Sequence, residues 1–209
     1  MYSYIKGELA EKGTNYAVID VHGVGYQIYI SNNALEKLGN IGDVVKLYTY
    51  LNVNPNGRDN IVCLYGFLSR EEKRMFELLI SVSGIGAKSA IATLSNIVPS
   101  DFALAIITSN VAVLSKIPGV GKKTAERMIL ELKDKIKTEE TEGANISQNV
   151  ETEKPKSENA QEAAAALQIL GYTKKEIDNA INHVSTEGVS VEEIIRKALS
   201  LLSWREAGE

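Results

Sequence analysis

A chain of 209 residues with 44% hydrophobic and 24% charged side chains has the composition of a folded protein, which excludes wholesale disorder and collagen-like repeats. Its longest stretch without Lys, Arg, Asp or Glu, residues 21–35, is shorter than the roughly 18 apolar residues of a membrane helix, and the N-terminus lacks an apolar signal core, so a cytoplasmic protein is expected. The net charge of -4 conceals a division of sign: residues 66–137 carry 11 basic and 7 acidic side chains, whereas residues 138–162 carry 2 and 7.

The first 65 residues read as β structure. Apolar alternation rich in Tyr, Val and Ile marks strands over 2–9, 16–21, 26–30, 44–51 and 61–65. Turn signals fall between them at Lys12-Gly13-Thr14, at His22-Gly23-Val24-Gly25 and at Asn54-Pro55-Asn56-Gly57. SNNALEKLG, after the third strand, offers a polar cap, a short helix and a stop at Gly39. Five strands with a helix after the third is the order of an OB-type barrel. His22 reads as a turn residue and Cys63, inside IVCLY, as a small core hydrophobe. One cysteine and two distant histidines supply neither an intrachain disulfide nor a zinc site of the usual spacings.

From Ser69 the period becomes helical, and Ser69-Arg70-Glu71-Glu72 reads as a capping box for a helix that buries Met75, Leu78, Leu79 and Val82. The chain then repeats itself. LISVSGIGAKSAIA (79–92) matches LSKIPGVGKKTAER (114–127) at a constant offset of 35, with Gly84 on Gly119, Gly86 on Gly121, Lys88 on Lys123 and Ala90 on Ala125. Each copy is an apolar helix end, a Gly-x-Gly turn and a new helix opening with a basic and a small residue. Glycines let the backbone take positive φ and approach a ligand, and the next helix presents N–H groups at its positive dipole end. That is a seat for phosphate. Lys88, Lys122 and Lys123 add charge, and Arg127 reaches the same side one turn later. Such a seat grips nucleic-acid backbone without reading base edges.

Rival readings of these glycines fail on spacing. A P-loop needs a Gly five residues before the Gly-Lys pair, where Lys116 stands, and Lys122 is followed by Lys123 rather than Ser or Thr. The dinucleotide fingerprint needs a third Gly, where Ser89 and Thr124 stand, and a preceding strand. Tight turns in a structural bundle remain the plain alternative. A glycosylase or nuclease would need a pocketed catalytic Asp or Lys or a carboxylate cluster, whereas ELKDKIK runs on into the acidic stretch. A protein-interaction scaffold without a DNA role is the third class.

TEETEGANISQNVETEKPKSENAQE, almost without large apolar residues, reads as a self-repelling flexible linker that tethers the C-terminal segment. That segment reads as three short helices. AQEAAAALQIL ends at Gly171; Thr173-Lys174-Lys175-Glu176 caps a helix carrying Ile177, Ala180, Ile181 and Val184; Ser190-Val191-Glu192-Glu193 opens one with Ile194, Ile195, Ala198, Leu199 and Leu202. Tyr172, just past a helix-ending Gly, is the candidate exposed aromatic, with a core-plugging role as its alternative.

SGIGAKSA and PGVGKKTAERMILELK, together with HGVGYQIYI, LYGFLSREEKRMFELLISVSGIG and LGYTKKEI, resemble the RuvA family, the Holliday-junction-binding subunits of the bacterial branch-migration machine. The resemblance covers nearly the whole chain apart from the linker. It implies an α+β multidomain protein: a five-stranded OB-type barrel over 1–66, an all-α double helix-hairpin-helix domain over 67–137, a flexible acidic linker over 138–159 and a three-helix, UBA-like domain over 160–209. It implies structure-specific binding of four-way junctions in recombination and repair by a homotetramer, alone or paired as an octamer. No catalytic residue, metal or cofactor belongs to that reading; ATPase activity lies in a hexameric RuvB-type partner, and a RuvC-type resolvase is a further partner. The implied DNA contacts are Gly84, Gly86, Ala87 and Lys88 in the first copy, and Gly119, Gly121, Lys122, Lys123, Thr124 and Arg127 in the second. Motor contact falls to Leu170, Tyr172 and Leu199. The family carries adjacent acids, an acidic pin, in the loop between the last two barrel strands. Here that loop is longer, and its one acid, Asp59 beside Arg58, is either the pin or a solvated turn residue.

Overall fold

Strands β1 (Tyr4–Lys12), β2 (Tyr16–Val21), β3 (Val24–Tyr29), β4 (Val44–Val53) and β5 (Val62–Phe67) close into a barrel in the order β1-β2-β3-β5-β4. This is the OB-type barrel expected from the alternation, with β3 and β5 the parallel pair. The structure is a computed structural model describing residues 2–53, 62–143, 157–184, 186 and 188–206. Register shifts by one residue between Leu9 and Glu11 where β1 meets β2, a bulge that bends β1 toward closure. Inward alternation puts Ile5, Leu9, Ala17, Ile19, Ile28, Ile30 and Leu47 in one core. His22 and Gly23 both take positive φ, as a two-residue hairpin turn requires, and the Gly23 N–H donates to Asp20 Oδ1 at 2.8 Å.

Helix α1 (Asn32–Lys37) follows β3, its first turn capped by the Ser31 hydroxyl, which accepts from the Ala34 N–H. Helix α2 (Arg70–Ile80) starts where expected, with Ser69 Oγ accepting from the Glu72 N–H at 3.2 Å. The reciprocal half of the capping box lands one residue early: Glu72 Oε2 accepts from the Leu68 N–H at 3.0 Å. Met75 and Leu79 are buried as expected, whereas Leu78 is half-buried, and Phe76 takes the central place. Its ring lies 5.0 to 5.3 Å from those of Phe67, Tyr65 and Tyr50, which fastens α2 to the barrel wall.

Burial pushes the Glu72 carboxyl above its ordinary range, against the pull of the Leu68 N–H and Lys37. A raised folded-state value contributes stability that is complete below the ordinary carboxyl range and is lost as pH rises through the folded value. Glu72→Gln keeps the oxygen acceptor without the buried charge. Its melting temperature is therefore expected to exceed that of the unsubstituted chain at pH 7 and to converge with it below pH 4, which paired thermal melts check.

Contacts divide the chain into two compact units, residues 1–81 with 85–98 and residues 82–84 with 99–209. In the first, helix α3 (Ala87–Leu94) packs beside α2, and its end is tied to α1: Ser95 Oγ accepts from the Asn32 N–H at 3.0 Å, and Asn33 Nδ2 donates to the Leu94 carbonyl at 3.1 Å. The second holds α4 (Pro99–Ile107), α5 (Val111–Leu114), α6 (Lys122–Gly143), α7 (Glu158–Ile169), α8 (Lys174–Asn182) and α9 (Val191–Glu206). Helix α4 buries Ser100, Phe102, Ala103, Ala105 and Ile106 because it is covered on one side by α5 and α6 and on another by α7 and α9. Lys133 Nζ closes its C-terminal end, donating to the Ile107 carbonyl at 2.6 Å and to Ser109 Oγ at 2.8 Å.

Two features differ from the sequence reading. Helix α6 runs to Gly143, six residues into the stretch read as linker, because TEETE is rich in helix-forming Glu and meets no breaker before that glycine. The C-terminal helices are not held by a tether alone, since α7 and α9 pack on α4. Among the described residues no single helix is long and apolar enough to cross a membrane.

Candidate nucleic-acid interface

Both Gly-x-Gly turns are built the same way. The apolar residue before each turn and the one between its glycines are buried, Val82 and Ile85 in the first and Ile117 and Val120 in the second, so the glycines are left facing out. The leading glycine of each has left-handed backbone, φ +88° at Gly84 and +82° at Gly119, a region that side-chain-bearing residues resist. The trailing glycine differs from the expectation. Gly86 is extended (φ -91°, ψ 171°) and Gly121 likewise lies outside the left-handed region, so positive φ explains only half of each motif. Nothing within the chain demands glycine at the trailing positions: a Cβ at Gly86 or Gly121 would meet nothing within 4 Å, so the space over each is open.

Helices α3 and α6 begin immediately after, with the Gly86 and Gly121 carbonyls accepting from the Ala90 and Ala125 N–H groups at 2.9 Å. Neither helix has an acidic residue in its first turn, and Gly86 supplies no side-chain cap. The positive ends of both helices thus open beside bare glycine backbone. Lys88, Lys122 and Lys123 are exposed at these ends, Lys122 in a loose 4.0 Å pair with Glu126, while Ala87 and Thr124 are half-buried. Ala90 and Ala125, the small residues of the repeat, are fully buried.

Arg127 engages the first turn, which the sequence did not suggest. Its guanidinium Nη1 donates to the Ser83 carbonyl at 3.1 Å, and the Ser83 N–H donates to Glu131 Oε2 at 3.1 Å. The helix-hairpin reading missed Glu131, which its i+4 relation to Arg127 could have flagged.

Leu170 and Tyr172 are core residues, 0% and 4% exposed, rather than surface for docking. The cause is the α7 terminus. Gly171 is left-handed (φ +79°), its N–H donates to the Gln168 carbonyl, and the Tyr172 N–H donates to the Leu167 carbonyl, a Schellman ending that turns the next side chain inward. Leu199 is half-buried. Asp59 lies outside the described residues. Cys63 is half-buried on β5, and among the described residues no His, Cys, Asp and Glu group is placed to hold a metal ion.

Three family models match in chain order: the RuvA N-terminal domain over residues 1–66, a SAM-like helix-hairpin-helix tandem over 76–134 and the RuvA C-terminal domain over 158–203. A protein of Acetivibrio thermocellus named Holliday junction branch migration complex subunit RuvA is 45% identical over 97% of this chain and 99% of its own. The chain belongs to the RuvA family. Proteins of the same name from Ruminiclostridium cellulolyticum and Clostridium botulinum are 38% and 40% identical, each over 97% of this chain and over 100% and 99% of their own. The matched helix-hairpin-helix tandem thus spans both turns with paired glycines.

Proposed function

We propose that this chain binds four-way DNA junctions through backbone phosphates seated on the Gly84–Lys88 and Gly119–Lys123 turns, as the DNA-binding subunit of a branch-migration complex. The observation that carries the reading is the duplicated turn itself: left-handed glycine, open glycine outside that region, helix start without acid, exposed lysine. Phosphate oxygens accept from the first-turn N–H groups while Lys88, Lys122 and Lys123 neutralise their charge. No base edge is engaged, so recognition follows the shape of the junction and not its sequence. A homotetramer, alone or paired as an octamer, holds the four arms. The chain hydrolyses nothing; a RuvB-type ATPase supplies the work, and a RuvC-type resolvase acts on the same DNA. The motor docks on the three-helix unit, where Leu199 together with Leu201, 40% exposed, offers apolar surface that Leu170 and Tyr172 do not.

Lys123→Ala and Lys88→Ala test the seat. Each is expected to weaken four-way-junction binding equally across sequences and to lower the slope of log K against log salt by about one. Unchanged affinity with an unchanged slope would mean that these lysines only solvate a helix face. Mg²⁺-dependent cleavage of the junction by the chain alone would return the nuclease alternative.

A further inference from the structure

We propose that Arg127 and Glu131 are positioning residues on the helix of the second hairpin that brace the first hairpin turn where Ser83 leads into Gly84. The two side chains stand one helical turn apart on α6 and take opposite ends of one residue: Arg127 donates to the Ser83 carbonyl and Glu131 accepts from the Ser83 N–H, each at 3.1 Å. Both peptide planes flanking Ser83 are thereby fixed, and the second of them leads into left-handed Gly84. The guanidinium reaches that glycine too, since a Cβ there would lie 3.6 Å from Arg127 Nη1.

The repeat shows that the brace runs one way. At the offset of 35, Ser83 corresponds to Pro118, which has no N–H to donate. Arg127 corresponds to Ala92 and Glu131 to Asn96, whose amide donates to the Ala92 carbonyl at 2.8 Å from just past the end of α3. The second turn closes on itself, the Val120 N–H donating to the Ile117 carbonyl at 2.9 Å, and continues directly into α6. The two copies therefore diverge at the three positions that make the brace. Divergence at those positions is the mark of a contact that one copy alone receives.

This inference rests on the phosphate-seat reading, and its decisive feature is a sign. Removing an acid close to bound phosphates strengthens binding if the acid only repels them. Removing a brace weakens it. In the full-length chain, Glu131→Ala is expected to weaken junction binding about ten-fold, the scale of one lost charge-assisted hydrogen bond, with the salt slope unchanged. Glu131→Gln keeps an oxygen for the Ser83 N–H and should restore most of the affinity. Hydrogen exchange in a peptide covering residues 79–86 should accelerate in the Ala variant and not in the Gln variant. Arg127→Ala should likewise weaken binding without the drop of about one in slope expected of Lys123→Ala. Tighter or equal binding by Glu131→Ala, or a slope lowered by Arg127→Ala, would overturn the brace. A Lys123→Ala variant with unaltered affinity and slope would instead sink the phosphate seat, while accelerated exchange at Ser83 in Glu131→Ala would leave the brace standing as a contact.

Discussion

Gly119→Val is expected to abolish four-way-junction binding in a chain that still folds, a loss on the order of a hundred-fold or more and well beyond that of Lys123→Ala. The backbone at Gly119 has φ +82°, where a β-branched residue costs about 1–3 kcal/mol. There is room for the side chain, since a Cβ at this position would meet nothing within 4 Å, so the strain is relieved by moving the turn and not by disturbing the core. A turn that moves takes the first N–H groups of α6 with it. Gly121→Val arrives at the same loss by another cause. Its backbone lies outside the left-handed region and strains little, but the methyl groups enter the open space over the helix start, where the proposed phosphate seat lies. Circular dichroism with a junction gel shift separates the two effects from unfolding. Undiminished binding by folded Gly121→Val would show that the open space is not where DNA lies.

The barrel and the hairpins were legible in the sequence because each rests on a periodic or duplicated signal. Alternation around Ile5, Leu9, Ile19, Ile28 and Leu47 admits one inward face, and an offset of 35 that aligns two pairs of glycines admits one motif. What escaped was held by contacts that leave no periodic or duplicated signal. Phe76 comes directly after Met75 and looks like a flanking residue until the barrel aromatics Tyr50, Tyr65 and Phe67 are brought around it. The inward turn of Tyr172 was decided by two backbone hydrogen bonds at the end of α7, which no side-chain pattern records. The role of Glu131 depends on a backbone N–H 48 residues away. Its trace in the sequence was nevertheless present, as the replacement of Ser83 by Pro118 in the other copy. In this duplicated chain the matched glycines and lysines mark the shared chemistry, and the mismatch of Ser83 with Pro118 marks a contact that one copy alone receives.

A fragment of residues 1–143 is expected to bind four-way junctions at least as tightly as the full chain, yet to lose all stimulation of the partner ATPase in ATP-driven junction dissociation. Every glycine and lysine of the two seats stays in it, as do Ser83, Arg127 and Glu131. The deleted residues 144–209 carry 7 basic and 11 acidic side chains, so their removal lessens repulsion of DNA. Stability should move the other way. Phe102, Ala103, Ala105 and Ile106 are buried on α4, and removing α7 and α9 opens one side of that helix to water. The fragment should therefore melt earlier than the full chain and bind a hydrophobic dye, and a polar substitution on the uncovered side of α4 should reverse the dye binding. If the fragment still drives branch migration at the full-length rate, motor recruitment does not belong to α7–α9. If it loses junction binding while its barrel and hairpins stay folded, the C-terminal helices hold the seats in place through α4, and their packing on that helix is part of the DNA site rather than a parking place for an adaptor.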